Sequence, residues 1–323
     1  AIQIDPFASR TMSQRQPADS KPFDALRTAK VMGPLGIIAG RGSLPVFIAD
    51  AAAAGNVPVH IIGIRGEAND EIERFPHTWI RWGEIGKIFG ALEKNGCKDL
   101  VIIGGVSRPD FKNIRVDVGA FKALPFLLSL RKGGDDHVLS RVVRFFEQRG
   151  YRVHGAGDVL PELLIPEGTL TQRAPSADDE TDMALAFKVV RALGQLDIGQ
   201  AAVVASGHVL AVEAAEGTDA MLDRCAELKR RGRSHGTASG VLVKAPKPGQ
   251  EERVDMPTIG PETIIRAAEA GLSGIAVAAQ HVLIAECKRT IDTANERKLF
   301  LYGTPWAEQE PGNAGETGNK LDA

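Results

Sequence analysis

The sequence is poor in cysteine and contains no long apolar run. Its 323 residues include only three cysteines, Cys97, Cys225 and Cys287, and no CxxC pair. A scattered, odd number of cysteines argues against a disulfide framework and against a zinc cluster, so we expect a reducing, cytoplasmic environment. Because nowhere do about 18 apolar residues stand together, the sequence predicts no membrane-spanning helix. Residues 1–32 also lack the apolar segment of a signal peptide.

An excess of charge of one sign is also missing. The net charge of −2 leaves no basic surplus to neutralise phosphates, so nucleic acid is not an expected partner. The seven histidines are dispersed without an HExxH pattern, which disfavours a zinc hydrolase. The sequence also contains no GxSxG nucleophile elbow and no Walker A loop. These absences leave a globular protein whose chemistry must come from other residues.

The length and the spacing of apolar segments predict two α/β domains. Short apolar strands alternate with amphipathic helices from Gly33 onward, which implies a parallel sheet covered on both faces in a Rossmann-like first domain. The topology of the second domain does not follow from the pattern alone. The predicted organisation is a flexible extension (1–32), a first domain (33–163), a linker (164–179), a second domain (180–303) and a disordered tail (304–323).

Individual elements follow from apolar runs and helix-ending signals. In the first domain we predict strands at 35–39, 57–64, 78–82 and 99–104, and helices at 44–54, 84–94, 119–131 and 135–149. In the second domain we predict strands at 201–205, 208–213, 240–244, 273–278 and 299–302, and helices at about 178–194, 218–230, 261–270 and 288–297.

A glycine loop follows the first predicted strand. Gly40 and Gly42 would let backbone N–H groups approach a phosphate, and Ser43 and Leu44 open a helix whose N-terminus favours an anion. The GxGxxG spacing is incomplete because position 45 is proline. A tight turn capped by Ser43 explains the same residues, so both interpretations stay open.

A second candidate follows the predicted strand at 99–104. Ser107 and Arg108 stand beyond its carboxyl end, where open parallel sheets bind ligands. The Arg108 guanidinium is suited to a bidentate phosphate contact. The alternative is a surface arginine paired with Asp110.

The second domain has a denser set of charged residues. Glu213, Glu216 and Asp219 lie around Thr218 at a junction between a strand and a helix. Mg²⁺ prefers carboxylate oxygen, usually from one or two carboxylates together with substrate phosphate. An acidic first helical turn capped by Thr218 accounts for one or two of these acids, but not for Glu213 at the end of an apolar strand.

Two lysines and an aspartate follow the predicted strand at 240–244. Lys244 and Lys247 carry charges that neutralise phosphate, Asp255 has a carboxylate suited to holding a metal or orienting water, and Thr258 precedes the next helix. A solvated charged loop is the alternative. The nearby prolines 246, 248 and 257 stiffen the loop, which an idle loop does not require.

Taken together, these segments resemble one protein family. The chain is similar to the LpxI-type UDP-2,3-diacylglucosamine pyrophosphatases over about residues 33–303, with the motifs in order and at similar spacing. Arg41 is a departure, because a glycine is expected there. The motifs are LGIIAGxGxLP at 35–45, GVSRPD at 105–110, LDIGQ at 196–200, EAxEGTDAM at 213–221, KAPKP at 244–248 and DxPTIG at 255–260.

The resemblance implies Mg²⁺-dependent hydrolysis of UDP-2,3-diacylglucosamine to UMP and 2,3-diacylglucosamine 1-phosphate (lipid X) in lipid A biosynthesis. It also implies two α/β domains with the ligand between them, a homodimer, at most peripheral contact with the inner membrane, and a catalytic aspartate that matches Asp255. As a hypothesis, Asp255 serves metal and water, helped by Glu213, Glu216 or Asp219. Lys244 and Lys247 then hold phosphate.

Two other functions stay open at this point. An NAD(P)-dependent oxidoreductase predicts a ribose-binding residue after the second strand, where Arg65 and Glu67 stand. A non-catalytic nucleotide or lipid carrier predicts that the acids of the second domain are dispensable. Reduction of NAD(P) would identify the first function, and ligand binding without turnover would identify the second.

Overall fold

The computed structural model describes residues 31–107, 135–232 and 239–306, which form two α/β units. The predicted helix at 119–131 and the candidate Arg108 lie outside the described residues, and so do nearly all of the predicted extension and tail. Within the described part of the chain, no helix combines the length and apolar character that a membrane crossing needs.

The first unit is built on a five-stranded sheet in the order β3-β2-β1-β4-β5. Every neighbouring pair in it is parallel. The predicted parallel sheet is therefore confirmed, and only β5 was too short to be predicted. The strands are β1 (Leu35–Ala39), β2 (Val59–Ile64), β3 (His77–Ile80), β4 (Asp99–Ile103) and β5 (Arg152–His154).

Helices cover both faces of this sheet. Ile37 packs in one apolar cluster with α1, whereas the next residue, Ile38, packs in another with α2 and α3. Successive strand residues point to opposite faces, so a strand that is apolar throughout can be buried on both sides. The helices are α1 (Leu44–Ala54), α2 (Ile85–Lys94) and α3 (Asp135–Glu147), with short helical turns at Asp70–Arg74, Ala156–Val159 and Pro161–Leu163.

A buried carboxylate joins β4 to β5 at the amino ends of the strands. Asp99 is fully buried and accepts two hydrogen bonds of 2.7 Å from Arg152 and one of 2.7 Å from His154. Burial alone would raise the pKa of Asp99, but these hydrogen bonds outweigh burial and hold the pKa below its usual value. This cluster lies at the amino ends of the strands, whereas open parallel sheets bind ligands beyond the carboxyl ends. We therefore assign it a structural role.

Replacing Asp99 by asparagine is expected to lower the free energy of unfolding at pH 7 by about 2 kcal/mol, because the partially screened Arg152 loses its counter-charge and His154 loses a charged hydrogen-bond acceptor. A carboxylate with a lowered folded-state pKa stabilises the fold above its unfolded pKa and loses that contribution as the pH falls. Urea unfolding should therefore show the difference between wild type and variant shrinking below pH 3.8. An equal difference at pH 7 and pH 3 would contradict the assignment.

The second unit has a six-stranded mixed sheet in the order β6-β13-β11-β9-β7-β8. Strands β9, β11 and β13 are parallel, whereas β6, β7 and β8 pair antiparallel to their neighbours. The segment predicted as a linker supplies β6 and the start of α4. The strands are β6 (Gly168–Thr169), β7 (Ala201–Ala205), β8 (His208–Val212), β9 (Val241–Lys244), β11 (Gly274–Ala278) and β13 (Phe300–Thr304).

The helices of the second unit agree with the predicted segments to within about two residues, the usual uncertainty of helix ends. A further pair of two-residue strands was not predicted, because such short strands have no periodicity. The helices are α4 (Ala177–Gln195), α5 (Gly217–Arg230), α6 (Pro261–Glu269) and α7 (Cys287–Glu296), and the short parallel strands are β10 (Thr258–Ile259) and β12 (Leu283–Ile284).

The two units meet along two segments of the second one, β12 and the loop before β10. Leu283 is buried within an apolar cluster of the first unit, and Met256 packs against the same cluster. Arg253 donates a hydrogen bond of 2.7 Å from Nη1 to Glu147 Oε1 at the end of α3. The segment that carries Asp255 is therefore held against the first unit.

Candidate functional site

A cleft of about 550 Å³ lies where the two units meet. Helices α5, α6 and α7 begin at its walls, and Gly42 at the start of α1 contributes from the first unit. Helix N-termini present free N–H groups and partial positive charge, so these helix starts are suited to an anion. Its lining comprises Gly42, Glu216, Gly217, Thr218, Asp219, Lys244, Thr258, Ile259, Gly260, Pro261, Glu262, Thr263, Ala285 and Glu286.

Lys244, the last residue of β9, is a buried cation in the lining of this cleft. Its side chain donates hydrogen bonds to Thr218 Oγ1 at 2.9 Å and to the carbonyl oxygen of Thr258 at 3.1 Å. Burial lowers the pKa of Lys244 from its ordinary value, while the charges of three carboxylates, Glu213, Asp219 and Asp255, act to raise it. An ammonium group with little solvent around it interacts strongly with any phosphate that enters.

Glu213 supports Lys244 through Thr218. The Thr218 hydroxyl accepts from Lys244 and donates to Glu213 Oε1 at 2.8 Å, and the backbone N–H of Gln200 donates to Glu213 Oε2 at 3.1 Å. Glu213 is only 7% exposed. Thr218 therefore does not cap α5, since its hydroxyl is engaged in this buried chain of hydrogen bonds.

The four carboxylates predicted to bind metal do not form one cluster. In the described residues no group of three or more His, Cys, Asp or Glu side chains could hold a metal ion. Both oxygens of Glu213 are engaged as above, Glu216 pairs with Arg224 at 3.1 Å, and Asp219 lies 3.9 Å from Arg266. The sequence motif places these acids near one another along the chain, but their side chains take different partners.

Asp255 does not line the cleft itself, but it is close enough for its charge to act on Lys244. Its Oδ2 accepts a hydrogen bond of 2.7 Å from Gln250 Nε2, and Gln250 is itself held by the backbone N–H of Lys247 at 2.9 Å. No hydrogen bond to Asp255 Oδ1 is formed within the described part of the chain. Asp255 is thus oriented by one oxygen and has the other available for water or a cation.

Lys247 and Thr258 were both predicted to bind substrate, but only one of them lines the cleft. Lys247 donates to Asp197 Oδ1 at 2.7 Å and does not line the cleft. Thr258 does line the cleft and supplies the carbonyl oxygen that holds Lys244. Of the two lysines predicted to bind phosphate, the structure therefore brings Lys244 alone to the cleft.

The glycine loop has a packing role that its sequence did not show. A Cβ on Gly40 would lie 2.5 Å from the carbonyl oxygen of Gly105 and 2.6 Å from that of Gly104. These contacts join the ends of β1 and β4, next to a bridge between Arg41 and Gly105. Of the loop residues predicted to bind substrate, Gly40 thus serves chain packing, whereas Gly42 lines the cleft.

Leu44 and Ser43, at the start of α1, were also both predicted to bind substrate, and the structure gives them different roles. Leu44 is 8% exposed and packs in the core. Ser43 is the N-cap residue but makes no capping hydrogen bond with its side chain. Its hydroxyl instead donates to Glu286 Oε1 at 3.4 Å across the junction between the units.

Replacing Gly40 by alanine is expected to lower the free energy of unfolding by about 1 to 3 kcal/mol, because the added methyl group meets backbone on both sides. Gly90→Ala in α2 is the matched control, since a Cβ there meets nothing within 4 Å and alanine favours a helix. Chemical denaturation of both variants provides the measurement. An unaffected Gly40→Ala protein would contradict the packing role.

Ser107 and Arg41 lie together at the end of β4. Arg41 donates from Nη1 to Ser107 Oγ at 2.7 Å and is ion-paired with Glu67 Oε2 at 3.1 Å. Arg41 therefore takes a defined position on the loop where the sequence departs from the expected glycine. Arg108, the next residue after Ser107, is not described.

Three groups near the cleft were missed by sequence reasoning. Glu286 precedes α7 with φ of 47° and ψ of 51°, a conformation that non-glycine residues seldom adopt, and Glu262 lies in the first turn of α6. Gln250, which holds Asp255, is buried and lies in the sequence between the KAPKP and DxPTIG motifs. No local pattern distinguishes these residues from ordinary helix-start or loop residues.

Comparisons with known proteins agree with this architecture. Residues 34–163 match the model of the LpxI N-terminal domain, and residues 166–302 match that of the LpxI C-terminal domain. A curated relative from Caulobacter vibrioides, named UDP-2,3-diacylglucosamine pyrophosphatase LpxI, is 44% identical over 274 residues, which cover 84% of this chain and 98% of the relative. With both domain models matched in order, the chain belongs to the LpxI family.

Proposed function

We propose that this protein hydrolyses the pyrophosphate bond of UDP-2,3-diacylglucosamine, giving UMP and 2,3-diacylglucosamine 1-phosphate (lipid X) in lipid A biosynthesis. The activity named for the Caulobacter relative supports the substrate. The observation that carries the proposal is the cleft itself, where the buried Lys244 and the N-termini of α5 and α6 converge. Lys244 and the helix N-termini suit phosphate oxygens, and the lining carboxylates Glu216, Asp219, Glu262 and Glu286 favour a cation beside the pyrophosphate.

In this mechanism Lys244 binds a phosphate oxygen and stabilises the negative charge that develops on it. Thr218 and Glu213 keep the ammonium aimed at the cleft. Asp255 Oδ1 orients a water molecule and takes its proton as the water oxygen bonds to phosphorus. The bond from that phosphorus to the bridging oxygen breaks, and the bridging oxygen leaves with the other phosphate. One water molecule is consumed, and UMP and lipid X are released.

Mg²⁺ is proposed as the cofactor, held by the substrate pyrophosphate together with Glu216 and Asp219, the two predicted ligands that line the cleft. The residues present fit this arrangement, because Mg²⁺ usually binds to one or two carboxylates plus phosphate rather than to a dedicated cage. When bound, the ion would neutralise pyrophosphate charge and favour the ionised form of a nucleophilic water. Glu213 is assigned to Lys244 instead, because both of its oxygens already accept hydrogen bonds.

The test is UMP release from UDP-2,3-diacylglucosamine, measured with Mg²⁺, with EDTA, and with EDTA followed by excess Mg²⁺. We expect turnover that EDTA abolishes and Mg²⁺ restores. Substrate binding without UMP release would favour the carrier, and NAD(P) reduction would favour the oxidoreductase. Turnover unaffected by EDTA would overturn the proposed cofactor while leaving the hydrolase intact.

We also predict that the protein is a homodimer in the cytoplasm, at most peripherally attached to the inner membrane. Light scattering of the purified chain would give its oligomeric state, and cosedimentation with vesicles of inner-membrane lipid would measure its attachment.

A further inference from the structure

The strand order of the first unit identifies a ligand-binding crevice. The order β3-β2-β1-β4-β5 reverses between β1 and β4, because the chain extends the sheet first to one side of β1 and then to the other. Ligands of open α/β sheets bind beyond the carboxyl ends of the strands at this point, and nucleotide phosphates lie at the loop after the first strand. Arg41 stands on that loop and bridges to Gly105 after β4.

Arg41 is held in place on one edge of its guanidinium group. Nη1 contacts Ser107 Oγ at 2.7 Å and Glu67 Oε2 at 3.1 Å, while Glu67 Oε1 accepts from the backbone N–H of Ser107 at 3.1 Å. The Glu67 side chain is 8% exposed, whereas that of Arg41 is 54% exposed. A buried carboxylate thus fixes a cation whose remaining surface faces outward.

The other edge of the guanidinium group stays available. Nε and Nη2 have no hydrogen-bond partner among the residues that the structure describes, and they pass over Gly105, where a Cβ would lie 3.7 and 3.8 Å from them. These two nitrogens present parallel N–H groups, the geometry that binds two oxygens of one phosphate. The absence of a side chain at Gly105 leaves room for that phosphate.

We propose that Arg41, positioned by Glu67 and Ser107, binds the phosphate on the nucleotide side of the substrate, so that the first unit holds the UMP half. This inference rests on the proposed function for the identity of the substrate. The adjacent Gly42 lines the same cleft as Lys244. The pyrophosphate then receives one cation from each unit.

The contacts of Glu67 indicate which part of a nucleotide the first unit binds. In dinucleotide-binding proteins an acidic residue after the second strand accepts from a ribose hydroxyl. Here Glu67 Oε1 accepts from the Ser107 N–H, and the buried Oε2 lies 3.1 Å from Arg41 Nη1 as an ion pair without a hydrogen bond. Glu67 is therefore a positioning residue for Arg41, and the first unit recognises phosphate rather than the ribose of NAD.

The test is calorimetric binding of UMP, uridine and glucosamine 1-phosphate to the full chain. Arg41→Gln is expected to weaken UMP binding by about 10- to 100-fold, the loss typical of a charge-assisted contact. It should leave binding of uridine and glucosamine 1-phosphate unchanged. Arg41→Lys should restore UMP binding only in part, because an ammonium group lacks the two-pronged geometry.

Glu67→Gln tests the positioning role and should weaken UMP binding less than Arg41→Gln does. In turnover it should raise KM with little change in kcat, which general destabilisation would not produce. Arg74→Gln is the matched control, because Arg74 pairs with Asp50 on the surface of the same unit. It should leave UMP binding unchanged.

Unchanged UMP binding by a folded Arg41→Gln protein would overturn the proposal, as would a loss confined to glucosamine 1-phosphate. Failure of the wild type to bind UMP would overturn it as well. The hydrolysis assay judges the proposed function separately, because turnover with normal UMP release in Arg41→Gln would reject this contact and retain the enzyme.

Discussion

Asp255→Asn is expected to reduce kcat for UMP release by about a thousandfold, with little change in KM, because it removes the group proposed to take a proton from water. Asparagine has nearly the same shape, so Gln250 can still hold the side chain through the contact that now measures 2.7 Å. The loss should therefore come from chemistry rather than from a displaced loop. Steady-state kinetics at saturating Mg²⁺ provides the measurement.

Asp292→Asn is the control for this change. Asp292 is a carboxylate of the same unit that pairs with Lys288 on the exposed surface of α7. Its replacement should leave kcat unchanged. If Asp255→Asn retained more than about a tenth of the wild-type kcat, its assignment as proton acceptor would be rejected. Circular dichroism of both variants should match that of the wild type.

Lys244→Met is expected to lower kcat/KM by about 100-fold or more, since a preorganised cation that stabilises phosphate charge is lost. Methionine fills a similar volume, but it leaves Glu213 buried without its cationic neighbour. The double variant Lys244→Met/Glu213→Gln removes both charges and separates the loss of catalysis from a loss of folding. A folded double variant with wild-type kcat/KM would contradict the role of Lys244.

Lys247→Met is the matched control for the lysine. Its ammonium group binds Asp197 outside the cleft, so we expect kcat/KM to change by less than about tenfold. A loss as large as that of Lys244→Met would mean that both lysines reach phosphate, as the sequence motif predicted. Stopped assays on the two single variants, purified in parallel, distinguish these outcomes.

The pH profile gives an independent measure of Lys244. Burial lowers its pKa below the ordinary value of 10.5, so the charged form, and with it kcat/KM, should be lost as the pH rises through that lowered pKa. Glu213 acts to raise this pKa, and Glu213→Gln should therefore shift the alkaline decline to lower pH. An unmoved decline would contradict the support that Glu213 gives to Lys244.

Sequence reasoning found six of the fourteen residues that line the cleft, but not the partners of their side chains. Thr218, Lys244 and Thr258 were predicted as site residues and are brought together, although their motifs lie far apart in the chain. Lys247 was predicted on equal grounds and turns to Asp197. The two lysines differ because Lys244 ends a buried strand, whereas Lys247 lies in the loop beyond it.

The predicted metal ligands also take different positions in the fold. Glu213, Glu216 and Asp219 are close in sequence, and their residue types suit a metal. The turn at Gly217, with φ of 82°, ends the loop and starts α5. Glu213 stays in the protein interior, hydrogen-bonded to Thr218, while Glu216 and Asp219 line the cleft.

By itself the sequence determined that this protein has two α/β domains, because buried parallel strands and amphipathic helices leave periodic apolar patterns along the chain. It also located the segments that follow strands and start helices, where phosphate sites form. Only the tertiary structure decided which side chains share the cleft, that Gly40 serves packing, and that Arg41 is fixed by Glu67 and Ser107. The physical reason is that these contacts join residues distant in sequence, whose separation in space depends on strand order and domain contact rather than on any local pattern.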